Sequence, residues 1–167
     1  WLGSRKYQKV NLNCEKTKLE IFLINFTSIS SSLCDLSLKC SEESIVSVKY
    51  VLERCKNLKF LKLDVSFAKH QVLLPNKLLP KIILEELTIW KANSEIFKCL
   101  ENYLTKKLTV KDEKYSRELV TFLTRQTVLV DLHLDFMIAN TKFFDRDLIS
   151  IAFFRLRKFK SNVMMMN

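Results

Sequence analysis

The chain has 167 residues, 28 Lys and Arg against 18 Asp and Glu, a formal net charge of +10 and 48% hydrophobic residues. That apolar share supports a buried core and argues against global disorder. With one glycine, Gly3, and two prolines, Pro75 and Pro80, the chain has no glycine-rich loop, which excludes a P-loop or dinucleotide site that needs close backbone approach. The longest uncharged stretch, Ile21 to Cys34, is 14 residues and holds Asn25 and four serines, too short and too polar to span a bilayer.

The chain opens Trp-Leu-Gly, without an initiator Met or a signal-peptide pattern, and is expected to be a fragment. Short alternating apolar runs predict strands, each with one face buried. The first centres on Val10 and is followed by Leu19, Phe22, Leu23 and Phe26 at helical spacing. Leu33-x-x-Leu36-x-Leu38 marks the second strand. Ile45, Val48, Val51, Leu52 and Cys55 then predict an amphipathic helix from about Glu42 to Cys55, with Ser41, Ser44 and two early glutamates favouring its N-terminus. Leu58-x-x-Leu61-x-Leu63 is the third strand. Residues 66–83 carry Leu73-Leu74-Pro75 and Leu78-Leu79-Pro80, and proline predicts an irregular or short helical segment there. Leu84-x-x-Leu87-x-Ile89 is the fourth strand, with Ile96, Phe97 and Leu100 predicting a helix after it. A weaker copy centres on Leu108, followed by Leu119, Phe122 and Leu123; Leu129-x-x-Leu132-x-Leu134 is the sixth strand and Phe159 marks a weak seventh.

The central apolar residues Val10, Leu36, Leu61, Leu87, Leu108, Leu132 and Phe159 lie 26, 25, 26, 21, 24 and 27 residues apart. This is the period of a leucine-rich repeat, roughly 20–29 residues per strand-plus-helix unit. The expected fold is α/β: a solenoid of about seven coils over residues 1–167, a parallel sheet on its concave face and helices on its convex face, joined by right-handed crossovers. Cys55 stands three residues before Leu58, and Cys14 and Cys40 each lie four residues after an anchor. All three are expected to be buried free thiols between coils. The pattern resembles the cysteine-containing class of leucine-rich repeats, common in F-box proteins, the substrate-recognition subunits of cullin-type ubiquitin ligases. That resemblance implies target recognition by the repeats, an adaptor held through an F-box missing from this sequence, and a cytoplasmic or nuclear location. A leucine-rich-repeat scaffold or receptor unrelated to ubiquitin is the alternative, and nucleic-acid binding a lesser one.

Nothing in the sequence builds an enzyme. His70 and His133 lack a nearby nucleophile motif, no C-x-x-C pair exists among the five cysteines, and no metal site, cofactor or catalytic residue is expected. Asn25-Phe26-Thr27 is a glycosylation sequon and by itself a weak signal. Residues 1–18 carry five Lys and Arg against one Glu, residues 141–167 six against two, and the 122 residues between them 17 against 15. A nucleic acid in the groove would call for a continuous basic stripe, and the excess sits at the ends instead. Residues flanking the strand leucines point out. Among them Phe60, Lys62, Trp90, Lys111, His133 and Asp135 join aromatics to charges of both signs, and are the expected contact surface for a protein.

Overall fold

A computed structural model describes residues 9–14, 30–40, 52–65, 81–91, 94–113, 117–138 and 156–165. Seven strands are present: β1 (Lys9–Cys14), β2 (Asp35–Cys40), β3 (Phe60–Val65), β4 (Ile82–Trp90), β5 (Tyr103–Glu113), β6 (Asp131–Ile138) and β7 (Lys158–Met165). They form one sheet in chain order, β1-β2-β3-β4-β5-β6-β7, and every pairing is parallel. Parallel neighbours need a crossover back over one face, so the chain advances one strand per coil as a solenoid. Among the described residues two helices lie in the crossovers, α1 (Ser94–Cys99) between β4 and β5 and α2 (Arg117–Thr124) between β5 and β6.

The anchors set the register. Val10 pairs with Leu36, Leu36 with Leu61, Leu61 with Leu87, Leu87 with Leu108, Leu108 with Leu132, and Leu132 with Phe159. A one-residue slip would carry every leucine to the opposite face, and no strand slips at its anchor. The inward row continues two residues on: Leu38, Leu63, Ile89, Val110 and Leu134 are at most 1% exposed. Ile96, Phe97 and Leu100 of the α1 segment and Leu119, Phe122 and Leu123 of α2 belong to the same core cluster. The rings of Phe97 and Phe122 meet at 5.5 Å between centroids. The helices therefore cover the inward face of the sheet, and the opposite face is left to the intervening residues.

The expected helix after β2 is described only at its end, where 52–54 are helical and Leu52 and Cys55 are buried; the rest, and the segment around 19–26, lie outside the described residues. The proline segment is corrected at its C-terminal end. Ile82 and Ile83 begin β4 instead of continuing an irregular run, because they pair with Tyr103 and Leu104 of the long strand β5. Residues 66–80 lie outside the described residues. Among the described residues no helix is long and apolar enough to cross a membrane.

One polar device in the core replaces a leucine. In five repeats the position three before the anchor is a leucine, Leu33, Leu58, Leu84, Leu129 or Leu156; in β5 it is Thr105, fully buried. Gln126, 4% exposed, resolves the problem this creates. Its Oε1 accepts from the Thr105 amide at 2.9 Å and its Nε2 donates to the Tyr103 carbonyl at 3.0 Å. Tyr103 in turn donates its hydroxyl to the Leu52 carbonyl at 2.8 Å. Buried polar groups persist where they are paired in this way.

The open sheet face as candidate interaction site

On the face away from the helices the strands present three rows. Immediately before the anchors run Lys9, Asp35, Phe60, Glu86, Lys107, Asp131 and Lys158. Immediately after run Asn11, Ser37, Lys62, Thr88, Thr109, His133 and Lys160. Two residues further on come Lys39, Asp64, Trp90, Lys111 and Asp135. The first and third rows mix lysines with carboxylates, the second holds lysines and no carboxylate, and part of the charge cancels within the face: Lys9 reaches Asp35 at 3.1 Å and Lys39 reaches Asp64 at 3.7 Å.

Trp90 is the centre. It is half-buried and flanked by two ammonium groups, Lys62 Nζ at 5.0 Å and Lys111 Nζ at 5.7 Å from the ring centroid. Lys111 is its direct neighbour on β5, whereas Lys62 of β3 stands opposite Thr88 and reaches it diagonally. Each such cation–π contact is worth about 0.5–1 kcal/mol at an exposed site. Asp135 stands beside Lys111 in the next strand, and His133 beside Thr109. Trp90 Nε1 and His133 Nε2 are both buried without a hydrogen-bond partner. Such atoms are rare in folded proteins and costly to leave unpaired.

Trp90, Lys62, Lys111 and Asp135 cluster around the ring; His133 lies two residues from Asp135 on β6 and Phe60 two residues from Lys62 on β3, at the margins of the same face. Phe60 is the farthest of the six from the Trp90 ring along the strands. It is 43% exposed and pairs with Glu86, four residues before Trp90 on β4, which places it about 13 Å along the strands at roughly 3.3 Å per residue. The two aromatics do not make one apolar anchor. The pairing of Trp90 with the two lysines could have been read from strand register, since Trp90 and Lys111 hold equivalent places in successive repeats. The Gln126 clamp had a fainter signal, a polar residue three before Leu129.

Of the thiols, Cys55 is buried and free, and burial pushes it up to about 12. Cys34 and Cys99 are free and half-buried. The side chains of Cys14 and Cys40 lie outside the described residues; their backbones pair with each other across β1 and β2. Among the described residues no cluster of His, Cys, Asp and Glu is able to hold a metal ion. No protein-family model, no curated protein and no solved structure matches this chain.

Proposed function

We propose that this chain is a leucine-rich-repeat module that holds a protein target on the open face of its sheet, as the target-recognition part of an F-box type ubiquitin-ligase subunit acting in the cytoplasm or nucleus. The adaptor of such a ligase would be held by an F-box outside this sequence. The observation that carries the reading is the Trp90 patch. An aromatic ring stands between Lys62 and Lys111 with Asp135 alongside, and aromatic anchors in a frame of both charges suit a protein surface. A phosphate backbone crossing this patch would meet the carboxylates Asp64 and Asp135 on either side of Trp90 and Lys111 instead of a continuous basic stripe. A leucine-rich-repeat scaffold unrelated to ubiquitin would use the same face, and an F-box in the full-length protein separates the two readings.

The test compares what the full-length protein and two variants retain, with captured proteins identified and quantified. Trp90→Ala should release a specific protein that the wild type and Arg125→Ala both hold. Arg125 lies off this face, in an exposed ion pair with Glu101. If no captured protein distinguishes Trp90→Ala from Arg125→Ala, the open face is not the binding surface. If the retained partner is a nucleic acid that dissociates steeply with salt, the protein-binding reading fails.

A further inference from the structure

The N-terminal ends of β2, β3 and β4 differ from those of β5 and β6. The turns leading into β2 and β3 and the first residues of β4 surround an open cleft of about 630 Å3, within the roughly 300–1,000 Å3 of small-molecule sites. Three lysines, Lys56, Lys59 and Lys81, line it, and none of its described lining residues is acidic. Asn57 ties the wall together by donating its amide to the Ser31 carbonyl across successive coils. Leu58 and Ile82 add apolar lining, as does Ile83, which is 52% exposed.

One coil further on, the cations of this edge are neutralised. Lys106 Nζ sits 2.8 and 3.0 Å from the two oxygens of Glu85, and Arg125 lies 2.6 Å from Glu101. The first of these pairs also explains the cleft. The Glu85 amide donates to the Lys59 carbonyl, so Glu85 is the carboxylate next to Lys59 in the sheet, yet both its oxygens are committed to Lys106 on β5. Lys56, Lys59 and Lys81 have no carboxylate partner among the described residues. Like charges gathered around one concavity repel, and an anion seated among them reverses the sign of that interaction.

We infer that this cleft binds a small phosphorylated molecule with an apolar body. A phosphate monoester carries about −1.5 to −2 charges at pH 7 and three strong acceptor oxygens, which answers most of the positive charge of three ammonium groups. Lysine binds phosphate as a point charge and does not require a rigid fork. The apolar wall at Leu58, Ile82 and Ile83 takes the organic part. The site is separate from the open face and does not depend on the function assigned to that face.

Cys34 is a reporter already in place. It lines the cleft, is half-buried, and its Sγ lies 3.7 Å from the Ser32 carbonyl. Cys99 is equally half-buried, lies outside the cleft lining and serves as internal control. Alkylation of each thiol is followed by mass spectrometry with phenyl phosphate, inorganic phosphate, phenol, or sodium chloride at matched ionic strength. Phenyl phosphate should slow Cys34 saturably, by about tenfold at about ten times Kd, and leave Cys99 unchanged. Inorganic phosphate should act only at higher concentration. The exposed pair Lys59→Glu and Lys81→Glu should abolish the protection while the melting temperature stays. Equal protection by phenol or by sodium chloride overturns the proposal, as does protection that survives the double substitution. Protection by a phosphotyrosine peptide but not by phenyl phosphate would assign the cleft to a protein partner and also overturn it.

Discussion

The two faces of one sheet follow opposite rules. On the inward face the same residue type recurs from strand to strand: Leu36, Leu61, Leu87, Leu108 and Leu132 stand in register and none is more than 4% exposed. On the open face the residue type changes from strand to strand except at Thr88 and Thr109; Asp64, Trp90, Lys111 and Asp135 succeed each other along a single row. Repetition serves packing, because each coil must present the same shape to the next. Variety on the open face is what the proposed recognition of a target requires, because a uniform surface distinguishes nothing. The comparison predicts that substitutions inside are felt by the fold and substitutions outside leave the fold largely intact.

The sharpest test is at the centre of the inward row. Leu87 is fully buried between Leu61 and Leu108, and Leu87→Ala should lower unfolding free energy by about 2–5 kcal/mol through lost transfer and a residual cavity. A loss no larger than that of an open-face substitution would break the distinction. Next comes the polar clamp. Gln126→Ala strands the buried Thr105 amide and Tyr103 carbonyl, at about 1–3 kcal/mol. Gln126→Glu keeps an acceptor for Thr105 but buries a carboxylate against the Tyr103 carbonyl, so in denaturant titration it should be destabilised at least as much near neutral pH and recover as pH falls and the carboxyl protonates.

Alkali probes the same interior without a mutation. Burial raises Cys55 from 9.0 to about 12. It also raises Tyr103 well above its usual 10.0, with Cys55, Glu53 and Cys99 adding electrostatically. Both groups stay neutral in the fold after they would have ionised in the unfolded chain. Their contribution is fully present below about pH 9 and is lost as pH climbs toward 12, each proton accounting for about 1.4 kcal/mol per pH unit in that window. Denaturant midpoints measured from pH 8 upward should therefore fall across that window; a flat profile would contradict a sealed core around these groups. The smallest effect belongs to the open face, where Trp90→Ala removes two lysine contacts worth about 0.5–1 kcal/mol each and should shift the melting temperature far less than Leu87→Ala. A collapse of the fold on Trp90→Ala would reclassify that ring as packing.

The strands were legible because their signal is local. Leu33, Leu36 and Leu38 declare a strand with one buried face within six residues, and the near-constant spacing of the anchors declares parallel stacking. What was less legible depends on residues far apart in sequence. Ile82 and Ile83 look like the tail of a proline segment until β5 proves long enough to pair with them. Thr105 looks like a flaw in the repeat until Gln126, 21 residues later, satisfies it. The six residues expected to face outward share the open face, but Phe60 lies at a different height from Trp90, because a shared face does not imply adjacency along the strand. The lysine cleft depends on three turns meeting and on Glu85 being drawn away to Lys106.

Because strand order equals chain order, each strand touches only the one made just before it and the one made just after. The chain never has to wait for a distant segment in order to close a pairing. Assembly can start at any coil and spread both ways, like a zipper with no fixed starting tooth. It also makes length a free variable: duplicating or deleting one whole unit restores the same neighbour relations, so an open sheet face of this kind can grow or shrink without a new fold being invented.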